Sequence, residues 1–291
     1  VLQIALLTLA AAAASAQSPV RLTVAAVQFR SSFDVADNRA RMAATLDSLA
    51  GRGVQVAVFP ECALTGYRTA ELPTRDFEGV LAAEEELRKL CARRRIAAVF
   101  GSIYKGKAAV YNTANVIDSR GRWVERYGKL YLAGEKWATP GNHIAFFELE
   151  GAPSTVIVCH DERYPELVRL PAMAGARVVY YISSESGLAQ EKKLPGYRAQ
   201  MMARAVENSV YAVAANTPAN PRDLSGSHGQ SRIVDVDGNV LREAGFFGED
   251  ILIETLAIVP RNLTRPLEGL LGAWWRQGLE AMLAGRSRAL E

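Results

Sequence analysis

The sequence predicts a layered α/β domain, and three observations carry that expectation. From residue 20 onward, short β-rich runs alternate with helical patterns. Parallel crossovers coexist with hairpin turns at Asp118-Ser119-Arg120-Gly121 and Asp235-Val236-Asp237-Gly238. A chain of 291 residues, 49% hydrophobic and 22% charged, can bury a sizeable core as one large domain or two small ones. In chain order, a β run over 21–29 leads to a helical pattern over 38–50 and a second β run over 54–59. A helix over 78–94 and a strand over 96–103 follow, then the first hairpin, whose second strand includes 124–127. The apolar run 155–158 ends at Cys159, residues 165–174 read as a helix after their proline, and 178–182 reads as a buried strand. Residues 197–208 are amphipathic and 210–215 apolar again. No internal repeat, low-complexity linker or boundary divides this stretch, so one domain is expected over 20–260, with a partly helical tail over 261–291. That tail, with Trp274 and Trp275, is expected to pack on the body or on another subunit.

Charge excludes one class of partner. The net +3 comes from 34 basic and 31 acidic residues mixed throughout, with Arg88, Lys89, Arg93, Arg94 and Arg95 as the dense basic cluster. That cluster closes the 78–94 helix, where the last carbonyls favour cations, so it reads as a solvated helix end and not as a nucleic-acid patch. Residues 1–14 are uncharged and rich in Leu, Ile and Ala, and run into Ala14-Ser15-Ala16, which suits signal peptidase. Residues 1–16 are therefore read as an export signal, without the usual Met and basic start, and the run is shorter than the roughly 20 residues of a membrane span. A periplasmic or secreted protein is expected. Its three cysteines, Cys62, Cys91 and Cys159, are too few and odd in number for a disulfide framework, leaving at least one free thiol.

In α/β sheets reactive groups lie beyond the carboxyl ends of strands. Three strand-like runs exit into suggestive residues: 54–59 into Pro60-Glu61-Cys62, 124–127 into Gly128-Lys129, and 155–158 into Cys159-His160-Asp161-Glu162-Arg163. A cysteine nucleophile needs a base, commonly His, yet only His143, His160 and His228 are present. If Cys159 and His160 are both extended, their side chains leave on opposite faces, and His143 and His228 sit in glycine-rich, loop-like stretches. Three dispersed histidines with no CxxC or HExxH pattern supply no metal site, so no cofactor is expected. If the base is not His it is a carboxylate, and Glu61 is the candidate. Taken singly, neither Glu61 nor Lys129 carries much weight.

Together these residues resemble the nitrilase, or carbon-nitrogen hydrolase, superfamily. The resemblance rests on Phe59-Pro60-Glu61-Cys62-Ala63-Leu64-Thr65-Gly66-Tyr67, Tyr127-Gly128-Lys129-Leu130-Tyr131-Leu132 and Cys159-His160-Asp161-Glu162-Arg163-Tyr164-Pro165-Glu166-Leu167. Glu135 ahead of Thr139-Pro140-Gly141, the run Ala203-Arg204-Ala205-Val206-Glu207-Asn208, and Gly229-Gln230-Ser231 add to it. It implies a four-layer α-β-β-α sandwich, a homodimer or higher homo-oligomer, and a Glu-Lys-Cys triad. In that triad Glu61 is general base, Lys129 stabilises the tetrahedral intermediate with the backbone N–H of His160, and Cys159 forms a thioester acyl-enzyme. Glu135 matches a supporting glutamate.

Nitrile-cleaving members typically carry Trp-Glu after the nucleophile, where this chain has His160-Asp161. The Cys-x-Asp-x-Arg-Tyr-Pro-Glu pattern is instead similar to the ω-amidase-like and N-carbamoyl amino-acid amidase branches. The expected partner is therefore a small amide or carbamoyl substrate, and Arg163 matches an arginine that meets a substrate carboxylate. An ion pair of Arg163 with Asp161, Glu162 or Glu166 is the competing reading. Two other functions stay open: a Cys-His hydrolase, and a catalytically inactive exported binding or scaffold relative.

Overall fold

The computed structural model describes residues 19–67 and 76–259. The expected export signal at 1–16 and the tail at 261–291, with its two tryptophans, lie outside the described residues.

Two six-stranded sheets form the centre of the described residues. The first is built from β1 (Val20–Gln28), β2 (Val56–Val58), β3 (Ala97–Lys105), β4 (Val110–Ile117), β5 (Trp123–Gly128) and β12 (Asp250–Ile258), in the order β12-β1-β2-β3-β4-β5. The second holds β6 (Phe147–Leu149), β7 (Ala152–Val158), β8 (Val178–Ser183), β9 (Tyr211–Asn216), β10 (Arg232–Val234) and β11 (Val240–Glu243), in the order β11-β10-β9-β8-β7-β6. In each sheet three consecutive strands pair in parallel, β1-β2-β3 and β7-β8-β9, and antiparallel strands flank them. Because β5 is antiparallel to β4 and β4 to β3, β5 runs the same way as β2. Their carboxyl ends therefore meet at one edge of the sheet.

Among the described residues, four helices cover the outer faces. α1 (Val35–Gly51) starts where the Asp34 carboxylate accepts the amides of Ala36 and Asp37, and it buries Asn38, Met42, Leu46 and Leu49 at helical spacing. α2 (Phe77–Arg94) is capped by Asp76 and ends at Arg95, which takes a left-handed φ of 53°. Arg93, Arg94 and Arg95 are exposed there, as expected of a solvated helix end. These two helices close a core with Phe59, Phe100 and Ile117 of the first sheet. α3 (Glu166–Ala174) and α4 (Leu194–Asn208) close a second core over Ile157, Val179, Tyr181 and Ala212. Between the sheets, Val58, Val99, Val116, Val156, Val158 and Tyr180 form the third. The layers run α-β-β-α, as the resemblance implies.

Both hairpin turns fall where the sequence puts them, between β4 and β5 and between β10 and β11. The sequence pattern does not predict strands β6 and β12. β6 is three residues long, and β12 is an edge strand in which half-buried Glu254 and exposed Asp250 interrupt the apolar pattern.

Candidate active site

Strand β2 leaves the sheet through Phe59-Pro60 and the chain turns over 61–65. Gly101 on β3 lets that turn lie close, since a Cβ on it would strike the Glu61 and Cys62 backbone. Its amide donates to the Pro60 carbonyl at 3.0 Å and its own carbonyl accepts from the Leu64 amide at 3.1 Å. Glu61 is thereby fixed inside the protein, 1% exposed. Its Oε1 accepts from Asn112 Nδ2 at 2.7 Å and Lys129 Nζ at 2.9 Å, and its Oε2 accepts from the Ser184 amide at 2.9 Å.

Lys129 follows β5, and its backbone is pinned by a 2.8 Å bond from its amide to the Asn112 carbonyl and a 2.9 Å bond from the Gly141 amide to its own carbonyl. The side chain is fully buried between two carboxylates, donating to Glu61 and to Glu135. The second oxygen of Glu135 accepts from the Ala133 amide. Burial by itself would pull the Lys129 ammonium down; Glu61, Cys159 and Glu135 reverse this and hold it well above the usual lysine range. Burial likewise pushes Glu135 up, and the Lys129 charge together with its hydrogen bonds brings it below the ordinary carboxylate value.

Cys159 departs from the extended conformation the sequence suggests. Along β7, Val156 and Val158 face the inter-sheet core and Ile157 faces the helices, so an extended residue 159 would also face the helices. Cys159 instead takes a φ of 49°, opens a 3-10 turn over Cys159–Arg163, and packs against the inter-sheet core. A left-handed residue here costs on the order of 1–3 kcal/mol, and it swings the thiol toward Glu61 and Lys129. Cys159 and His160 are therefore not an extended pair with side chains on opposite faces, because neither is in a strand.

The turn is tied down by Asp161, which is fully buried. Its carboxylate accepts from Tyr127 Oη at 2.8 Å, the Tyr131 amide at 2.8 Å and the Val158 amide at 3.1 Å. One carboxylate thus joins the segment carrying Lys129 to the segment carrying Cys159. Burial nevertheless pushes Asp161 up to about 6.

Burial raises the Cys159 thiol well above its ordinary value, Glu61 raises it further, and Lys129 opposes both. Lys129, placed beside both groups, favours the anions of Glu61 and Cys159 through opposite charge. For Cys159 that attraction exists but burial outweighs it, so the resting sulfur is a thiol.

No hydrogen bond joins Cys159 to a histidine among the described residues. His143 is exposed beside Glu125, at 3.2 Å. His228 is not a surface residue: it is buried, with Nδ1 at 3.0 Å from the Ser186 carbonyl and Nε2 at 3.1 Å from Glu185. His160 packs edge-on against Tyr164. Arg163 is exposed, and no ion pair ties it to Asp161, Glu162 or Glu166 among the described residues. No group of three His, Cys, Asp or Glu side chains among the described residues is placed to hold a metal ion.

Sequence reasoning missed Asn112, which lies inside a strand and bonds Glu61 through tertiary contact alone. It also missed the three-way role of Asp161 and the buried pair Glu162 and Glu185. An acidic residue on either side of an otherwise apolar strand exit was the available signal.

Comparison with known proteins bears on this geometry. The carbon-nitrogen hydrolase family model matches residues 23–263. The 2-oxoglutaramate amidase of Bacillus subtilis is 30% identical over 232 residues, 78% of this chain and 87% of that protein. The crystal structure of an amidase from Nesterenkonia sp. superposes with a TM-score of 0.73 at 28% identity, covering 82% of this chain and 91% of the other. A variant of the Nesterenkonia amidase, at 27% identity, TM-score 0.73 and the same coverage, shows covalent addition of the acetamide moiety of fluoroacetamide at the active-site cysteine.

Proposed function

The chain belongs to the carbon-nitrogen hydrolase family, and on that footing we propose that it hydrolyses a small carboxylate-bearing amide through Cys159, with Glu61 as base and Lys129 as electrostatic stabiliser. The observation that carries the reading is the buried Glu61–Lys129–Glu135 array facing a thiol held in a left-handed turn.

The chemistry follows from the resting protonation. Because burial keeps Cys159 a thiol, its proton must leave as the sulfur attacks, and Glu61 takes it. The S–C bond forms at the amide carbon, and the oxygen that gathers negative charge is met by Lys129 Nζ and the His160 backbone N–H. Glu61 returns the proton to the nitrogen as the C–N bond breaks, leaving a thioester. Water then loses a proton to Glu61 and forms the new C–O bond. The departing sulfur regains that proton and the acid is released. Glu135 holds the Lys129 ammonium in place between two carboxylates.

Arg163 supports the substrate class. It stands exposed at the end of the nucleophile turn with no ion pair to Asp161, Glu162 or Glu166 among the described residues, and its planar fork suits a carboxylate. The relative from Bacillus subtilis bears the name of an amidase for such a substrate, 2-oxoglutaramate. A neutral-amide reading is favoured by one observation, the acetamide adduct of the Nesterenkonia enzyme.

Ammonia release over dicarboxylic monoamides, N-carbamoyl amino acids and simple aliphatic amides tests both. Cys159→Ala abolishes turnover, and one equivalent of iodoacetamide titrates the parent's activity away; full turnover after complete alkylation would sink the assignment. Arg163→Ala raises KM for carboxylate-bearing substrates roughly tenfold to a hundredfold and leaves neutral amides unchanged. Equal effects on the two groups would remove Arg163 from the pocket. His143→Ala keeps full activity, and its loss would revive a Cys-His hydrolase.

Export, read from residues 1–16, and a homo-oligomeric state stand as proposals resting on sequence alone.

A further inference from the structure

Behind the nucleophile turn lies a buried hydrogen-bonded chain that the reaction above does not use. Tyr181 on β8 places its hydroxyl 3.2 Å from the Cys159 carbonyl and in contact with Glu185 Oε1. Glu185 Oε2 lies 3.1 Å from His228 Nε2, and His228 Nδ1 lies 3.0 Å from the Ser186 carbonyl. Tyr197 from α4 stacks on the His228 ring, centroids 5.6 Å apart at 9°. Every member of the chain except the half-buried Cys159, Ser186 and Tyr197 is buried.

A phenol has one hydrogen, and the groups around it here, the Cys159 carbonyl, Glu185 Oε1 and the nearby Glu162 carboxyl, all present oxygens. The Cys159 carbonyl can only accept. If Glu185 is a carboxylate it also only accepts, so the Tyr181 hydrogen serves one contact and the other is left as two acceptors facing each other. If Glu185 carries a proton on Oε1, it donates to Tyr181, and Tyr181 donates to the Cys159 carbonyl. This arrangement alone satisfies both contacts. His228 Nδ1 faces the Ser186 carbonyl, which only accepts, so its hydrogen sits there, and Nε2 donates to Oε2 once His228 carries its second proton.

The peptide whose carbonyl Tyr181 reaches is the one whose N–H belongs to His160. We propose that Tyr181 is a positioning residue for the oxyanion site: by donating to the Cys159 carbonyl it orients and polarises the Cys159–His160 peptide, and Glu185 decides whether that hydrogen is available. Hydrogen bonding at one end of a peptide strengthens donation at the other, so the His160 N–H becomes a better partner for the developing oxyanion. The inference rests on the role given above to the His160 N–H.

The groups facing Glu185 fix the sign. Burial raises it to about 7 and the Glu61 charge adds to that, against the Tyr181 bond and the charges of Arg232 from β10 and Arg163 from the turn. Glu162 from the same turn is a second acid coupled to it. Burial pulls His228 down, so it too gains its second proton below neutrality. Tyr181 stays protonated throughout, its pKa raised well above the usual value by burial. Falling pH therefore completes the chain, and rising pH turns the Tyr181 hydrogen away from Cys159.

Steady-state ammonia release by the full chain, with succinamate and butyramide as probes and the faster one used, tests this from pH 6 to 8.5. The parent's kcat falls in a step as pH rises from the acid end of this range through about 7, as His228 and then Glu185 give up their protons. Glu185→Gln, whose amide donates at every pH, loses that step. Tyr181→Phe loses it too, lowers kcat about tenfold with KM within about twofold, and leaves the rate of Cys159 alkylation by iodoacetamide unchanged. A Tyr181→Phe enzyme with parental kcat, a Glu185→Gln enzyme that keeps the step, or alkylation slowed as much as turnover each overturns the inference. Activity surviving in Cys159→Ala would instead defeat the nucleophile assignment itself, so the two failures are told apart.

Discussion

Glu162 is a buried carboxyl whose two oxygens make no well-formed hydrogen bond, although the Tyr181 hydroxyl lies near and favours its ionised form. Burial, then the neighbouring Glu185 charge, pushes it from an ordinary 4.5 up to about 9. The folded protein therefore holds a proton that the unfolded chain gives up, and stability falls as pH rises between those two values. Glu162→Gln cannot ionise, so it is expected to raise stability by roughly 1–3 kcal/mol at pH 8 and by little near pH 4.5. Urea unfolding at both pH values checks this; a gain independent of pH would mean that the carboxyl is not the cause. The sequence shows Glu162 only as one acid in a charged run, where solvation is the ordinary expectation. Its burial follows from the left-handed turn at Cys159, which no residue type announces.

Helix α2 shows the same effect at the scale of an element. Its buried face runs Val80, Ala83, Glu84, Leu87, Leu90 and Cys91, so helical spacing places an acid among apolar residues. Glu84 accepts from Ser102 Oγ at 2.6 Å, Asn115 Nδ2 at 2.8 Å and Arg126 at 2.7 Å, one donor from each of β3, β4 and β5. It is the polar bolt between the helix and three strands. Glu84→Ala leaves those donors buried without a partner and is expected to cost about 3 kcal/mol in denaturant unfolding. A cost under about 1 kcal/mol would show that water replaces the carboxylate. Periodicity alone locates this helix to within a residue at its start and places its end, whereas the partners of Glu84 come from strands up to 42 residues away.

For the whole molecule the decisive contacts are those that join the two sheets. Gln28, at the end of β1, is fully buried; its amide donates to the Gly245 and Gly248 carbonyls at 2.9 and 3.0 Å and accepts from the Ser231 amide at 3.0 Å. It clamps the first sheet to the chain that enters and leaves β10 and β11. Gln28→Leu strands one amide and two carbonyls and is expected to destabilise by about 3 kcal/mol, read as a drop in Tm and in urea midpoint with an unchanged slope. A changed slope would instead report that the sheets separate before global unfolding.

The sequence by itself determined the layered α/β class, both hairpins, every long helix among the described residues and the strand exits that carry Glu61, Lys129 and Cys159. These follow from local periodicity and turn chemistry, which act over a few residues. Only the tertiary structure decided what surrounds those exits: Asn112 on Glu61, Glu135 against Lys129, Asp161 across two segments, and Tyr181 beneath the Cys159 carbonyl. Such contacts arise when sheets stack and exclude water, and burial then raises the Cys159 thiol against the pull of Lys129. Desolvation depends on the whole packed molecule, so the charge state of the site was not written in any one stretch of chain.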